Sequence, residues 1–234
     1  MNSNRKTSIF YGVLIIAGIL FGILNTVPAI ESPDYLSKLS SIKTQVLIAV
    51  FFQFAMASVY VCIIVLLFPI VKTYSERIAL GYFGFRLIGA MFLFIGIVSL
   101  LLLLFLSQKF NSVGNPTSSY YQIIGELLRN GRDWMNHIGM ILPWTIGGFL
   151  LYYSFLKMRL IPVWLSIWGI LGSALVLIGT ILFMFDIIKI VTPIYFVFMI
   201  PTALFELILA IFLFVKGFSP PINDIKRVIV NDDK

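Results

Sequence analysis

The sequence predicts an all-α fold, a polytopic membrane bundle of six transmembrane helices with two short amphipathic helices in the outer loops. Three observations carry that prediction. The 234 residues are 60% hydrophobic and only 12% charged, whereas a soluble domain is about one quarter charged. Six apolar stretches are each long enough to cross a hydrocarbon core, which takes about 20 helical residues. Most of the charges fall in the short connections between those stretches, where orientation signals belong.

The first span covers residues 8–30 behind Arg5 and Lys6. It is longer than a signal-peptide core and lacks a small-x-small cleavage site, so it reads as a retained span. Gly18 and Gly22, four apart, give it a small face for close helix contact. An outer segment, 33–43, follows: Ser32-Pro33 resembles an N-cap with proline at the first helical position, and Leu36, Leu39 and Ile42 recur at helical spacing. The second span, 44–71, carries a polar or small stripe of Gln45, Ala49, Gln53, Ala57 and Tyr60. Gln53 lies near mid-membrane, where an amide joins helices.

The third span, 78–107, is long enough to tilt strongly or to run past the membrane. The outer loop, 108–132, then holds Asn115-Pro116 and a second amphipathic segment, 118–129, with Tyr120, Ile124, Leu127 and Leu128 on one face and a helix stop at Asn130-Gly131. Both outer segments suit helices lying on the membrane surface, near the mouth of any outward-facing cavity. The fourth span, 133–157, contains Pro143 and Gly147-Gly148, which invite bending. The fifth, 162–187, has a small face at Gly169, Gly172 and Ser173, and the sixth, 193–216, contains Pro201, whose ring frees the carbonyl of Val197. Residues 1–218 thus form one transmembrane domain, and 219–234 a short polar tail.

Orientation follows from Lys and Arg. The face carrying the termini holds ten and the opposite face six, with Arg86 left inside a span. The connections on the termini face are also shorter, which places both termini in the cytoplasm. Because the net charge of +7 is scattered over these connections, nucleic acid is excluded as a partner and the lipid bilayer is the expected one. Cys62 is the only cysteine and His137 the only histidine. An intramolecular disulfide, a cysteine-clustered metal site and a haem held by two histidines of one chain are therefore excluded, and no metal or cofactor is expected. HExxH, GxSxG and paired-carboxylate motifs are absent, which weighs against an enzyme.

Ionisable groups inside spans are costly and are functional candidates by default. Arg86 lies eight residues into the third span, about 12 Å deep. Glu206 lies ten residues from the inner end of the sixth, about 15 Å deep. Being level, they are expected to form a buried ion pair, with Gly89 and Ala90 permitting close approach and Thr202 on the face of Glu206. Nearer the outer surface, the Asp133-x-x-x-His137 spacing would put carboxylate and imidazole on one helix face, beside Asn136. Gln53, Asp133, Asn136, His137 and Thr202 are the candidate lining of an outward-facing cavity for a small amphipathic or lipid-like molecule. Two alternatives stand beside this binding or transport reading. One is a structural, sensory or partner-binding subunit; the other is an intramembrane enzyme using Glu206 or Asp133 and His137 as acid or base.

Three stretches resemble a known bacterial membrane family, the domain of unknown function numbered 4386. They are Leu151-Tyr-Tyr-Ser with Arg159-Leu-Ile-Pro162 and Trp164-Leu-x-x-Trp-Gly-x-Leu-Gly172; Phe85-Arg86-Leu-Ile; and Ile200-Pro-x-x-x-Phe-Glu206 through Val215-Lys-Gly-Phe218. The resemblance implies a six-span bundle in the bacterial cytoplasmic membrane and transfers no catalytic residue or cofactor. In that family an acidic residue often follows the arginine of the third span by a few positions, whereas Gly89 stands here. That departure leaves Glu206 as the carboxylate partner for Arg86.

Overall fold

The computed structural model describes residues 3–116 and 119–219. Ser118 and the predicted tail beyond Ser219 lie outside the described residues. The order is α1 (Ser3–Leu24), a 3-10 turn (Pro28–Glu31), α2 (Tyr35–Ser41), α3 (Lys43–Tyr74), α4 (Glu76–Ser112), α5 (Ser119–Trp134), a π-helical turn (Met135–Gly139), α6 (Ile141–Met158), α7 (Val163–Met184) and α8 (Pro193–Val215). Six helical segments are long and apolar enough to span a membrane, as predicted. Strands are absent among the described residues.

Each span buries one stripe and leaves large apolar side chains such as Phe51, Val65, Leu80 and Phe105 exposed, the pattern of helices whose solvent is lipid. α3 packs on α4, α4 on α6, α6 on α7, α7 on α8, and α8 returns to α1. Two main clusters form the interior. One, toward the termini, contains Tyr11, Ile64, Leu67, Tyr82, Phe155 and Phe205. The other, at the far end, contains Ile30, Leu36, Leu39, Val46, Leu100 and Leu103.

The termini end is closed by contacts distant in sequence. Arg5 on α1 donates through Nη1 to the carbonyl of Leu213 at 3.1 Å and through Nη2 to that of Phe214, serving carbonyls that the end of α8 leaves without helical partners. The Phe218 amide donates to Ser8 Oγ at 2.8 Å, and the Ser219 amide to the carbonyl of Leu160 at 2.9 Å. Gly217 turns the chain there at φ +75, in the left-handed region.

The outer loops differ from expectation in two places. α2 starts at Tyr35 after Asp34, not at Ser32-Pro33, and Asp34 makes no side-chain cap. Its carboxylate instead pairs with Lys38 at 2.8 Å, and that ammonium holds the carboxyl below its usual range. Asn130-Gly131 is not a helix stop, because α5 runs through it to Trp134 and on into the π turn and α6. A glycine within a helix costs about 1 kcal/mol, which packing readily overrides. Tyr121 and Leu128 on α5 lie against the far cluster beside Phe110 of α4. α4 itself extends over 37 residues, and α2 and α5 both pack on it.

Candidate functional site

At mid-bundle α1, α3, α4, α6 and α8 enclose a cavity bounded by Arg86, Glu206, Trp144 and the tyrosines Tyr11, Tyr60 and Tyr152. Ile15, Gly18, Ile19 and Ile63 complete its wall. The space is narrow, with about 20 Å3 available to the centre of a water molecule, and one water needs roughly 10–15 Å3 by this measure. Arg86 lies ten residues into α4 and Glu206 nine residues before the end of α8. Both are therefore about 14–15 Å from the termini end of their helices at 1.5 Å per residue, level as the sequence predicts.

Local structure fixes the Arg86 side chain. It runs along the glycine pair of α6: a Cβ on Gly147 would sit 2.6 Å from Arg86 Cγ, and one on Gly148 would sit 3.2 Å from Nη2. Its Cζ lies 3.7 Å from the Trp144 ring centroid, a close cation–π contact, and Trp144 in turn lies 4.3 Å from the ring of Tyr60. Arg86 is only 5% exposed, and its Nε has no hydrogen-bond partner.

The direct Arg86–Glu206 ion pair is not formed. Among the described residues the ion pairs are Lys38–Asp34, Lys72–Glu76 and Arg132–Asp133. Matched depth brought the two charges to one cavity, but the guanidinium lies over the Trp144 ring instead of reaching the carboxylate.

The five residues proposed for an outward-facing cavity are placed differently, and none of them lines the cavity between Arg86 and Glu206. Gln53 is 2% exposed; its Nε2 donates to the carbonyl of Leu93 at 3.2 Å and to Asn136 Oδ1 at 3.1 Å. Gly96 makes room for this contact, since a Cβ there would collide with Asn136 Oδ1. His137 Nδ1 lies 2.7 Å from the hydroxyl of Tyr195 on α8, with Phe183 of α7 edge-on to the imidazole. Asp133 pairs with its neighbour Arg132 at 2.8 Å and not with His137. The cause is the π turn, whose Met140 amide bonds to the carbonyl of Met135 and so breaks the i,i+4 alignment. Pro143 explains that turn, because its ring disfavours an α-helical carbonyl at Gly139. Thr202 lies against Gly172, and its hydroxyl is buried without a partner.

Sequence reasoning missed Trp144, Tyr11 and Tyr152 as site residues. The readable signal was Gly147-Gly148 beside Trp144: a two-glycine gap at the depth of a buried arginine is where that side chain can cross a neighbouring helix. Among the described residues no three His, Cys, Asp or Glu side chains group to hold a metal.

Fold and cavity together define a six-span integral membrane bundle with opposite charges facing an internal cavity. Within that class the chain belongs to the family of the domain of unknown function DUF4386, whose model matches residues 9–217 and so covers all six spans. No curated protein and no solved structure matches the chain.

Proposed function

We propose that this protein binds or transports a small amphipathic molecule, and that the molecule's polar end sits in the cavity between Arg86 and Glu206. One observation carries the reading: two opposite charges at mid-membrane face a common space without pairing. Uncompensated buried ions cost several kcal/mol each, by order of magnitude, so a purely structural pair is expected to close to contact. A gap leaves hydrogen-bonding capacity for a third group. The wall offers both characters an amphipathic guest needs, with charges from α4 and α8 and apolar Ile15, Ile19 and Ile63 from α1 and α3. With the termini in the cytoplasm, as the distribution of Lys and Arg favours, the site lies at the cytoplasmic to middle depth of the bacterial inner membrane, not beneath the outer helices.

The test is a thermal-shift comparison of detergent-purified protein with hexanoate, hexylamine and hexanol. At least one of them is expected to raise the Tm, since a ligand at 100 times its Kd stabilises by about 2.7 kcal/mol. The hexanoate shift is expected to vanish in Arg86→Gln protein that still unfolds cooperatively. No shift with any of the three overturns the reading. The specific observation favouring a structural subunit instead is the packed Gln53–Asn136 contact, and on that reading the charged variants and the wild type respond identically to every amphiphile.

A further inference from the structure

We infer that the cavity between Arg86 and Glu206 takes the carboxylate of a small monocarboxylic acid together with one proton, the anion on Arg86 and the proton on Glu206. This rests on the cavity being the binding site and names its substrate class.

The choice of an anion comes from Arg86. With one face of its guanidinium against Trp144 at 3.7 Å, what remains for a guest is the edge, where the N–H donors point. That planar fork matches the two oxygens of a carboxylate. The side chain is buried, it lines the cavity, and no ion pair among the described residues uses it.

The choice of a small acid comes from the space. About 20 Å3 for water centres holds one or two waters, which two carboxylate oxygens can replace. A sugar ring or a phospholipid headgroup needs several times that room. Ile15, Ile19 and Ile63 in the wall favour an organic acid over a free inorganic anion, and the small space favours a short one.

The proton follows from counting charge. The titratable and charged groups lining the cavity are Arg86 on α4, Glu206 on α8, Tyr11 on α1, Tyr60 on α3 and Tyr152 on α6, and α7 contributes none. Phenols ordinarily ionise near pH 10, so with Glu206 as a carboxylate the empty site balances one cation against one anion. A second anion would leave a net negative charge in low dielectric, which a buried site relieves by taking up a proton. Glu206 is the lining carboxylate able to accept it. Carboxylate and proton thus enter as an electrically neutral sum, and no covalent bond forms or breaks.

The experiment follows butyrate binding to the full-length protein in detergent by calorimetry, in weak buffer with a pH indicator. About one proton should be taken up per butyrate bound, and affinity should weaken about tenfold per pH unit on the alkaline side. Glu206→Gln should still bind butyrate, but without proton uptake and without pH dependence. Arg86→Gln should lose at least about tenfold in affinity, one lost charge-assisted contact being worth roughly that much. Arg86→Lys and Glu206→Asp provide conservative versions: both should bind more weakly while keeping the proton. The inference is overturned if wild-type protein binds butyrate with no proton uptake, if Glu206→Gln takes up the same proton, or if chloride competes as well as butyrate does. Binding of hexylamine or hexanol without butyrate overturns the substrate class and leaves the cavity as a site, whereas silence toward all amphiphiles removes the site itself.

Discussion

The two ends of the bundle treat buried polarity in opposite ways. Toward the far end, neutral polar groups satisfy one another: Gln53 bridges Leu93 and Asn136, His137 meets Tyr195, and Ser107 accepts from the Ser40 amide at 2.8 Å while donating to Leu36 at 2.5 Å. The partnerless atoms there, Asn111 Oδ1 and Arg132 Nε, belong to side chains already bonded through another atom, and Tyr35 lies beneath the guanidinium of Arg129. At mid-bundle, Arg86 is buried with its Nε unpartnered and shares a cavity with Glu206 without forming an ion pair. Gln53, Asn136, His137 and Tyr195 are consumed by their partners, whereas Arg86 Nε beside the cavity is left without one.

That contrast can be broken most decisively at two glycines. Alanine at Gly96 would drive its Cβ into the Asn136 amide and to 3.1 Å from Gln53 Nε2. Overpacking combined with a lost buried hydrogen bond should cost about 2–3 kcal/mol. Alanine at Gly18 meets Tyr60 Cε1 at 3.2 Å, but that ring borders the cavity and has somewhere to move. Its cost should stay below about 1 kcal/mol. Unfolding in mixed micelles measures both, and equal losses would erase the distinction between a packed end and a yielding one.

A second comparison sharpens the packed side. Gln53→Leu and Asn136→Leu should each destabilise by about 1–2 kcal/mol by stranding the partner, and the double variant should recover part of the sum. Additive losses would mean that the 3.1 Å contact is incidental. The last prediction leaves stability unchanged and assigns each end to a compartment. In a Cys62→Ser background, a cysteine at Ser112 should react with an impermeant maleimide on intact cells and one at Ser219 should not. The reverse pattern would put the cavity nearer the outside.

Much of this architecture was readable from apolar run length alone, because lipid demands that each crossing segment satisfy its own backbone. Depth was readable too: counting residues from the span ends put Arg86 and Glu206 at one level, and both line the same cavity. Contact was not, because an aromatic face on a third helix competes for the guanidinium, and residue spacing along two helices says nothing of Trp144. The Asp133/His137 pairing failed for a different reason. Four-residue spacing implies a shared face only while the helix keeps 3.6 residues per turn, and Pro143 displaces that rhythm into a π turn. Gly131 misled through propensity, a weak preference that neighbouring contacts overrode.

The hold of Arg5 on the carbonyls of Leu213 and Phe214 has a consequence for how the molecule is made. A ribosome delivers α1 well before α8, and the cavity wall needs both, with Tyr11, Ile15 and Gly18 from one and Glu206 from the other. Through the synthesis of six intervening helices, α1 waits beside α3 without its second neighbour, and Arg86 enters the bilayer before Glu206 exists. The ring closes only when the final span arrives and its end is grasped by the fifth residue of the chain. A product cut short after α7 therefore has no carboxylate at the cavity and no carbonyls for Arg5 to grip, so the chain closes on itself only once α8 is in place.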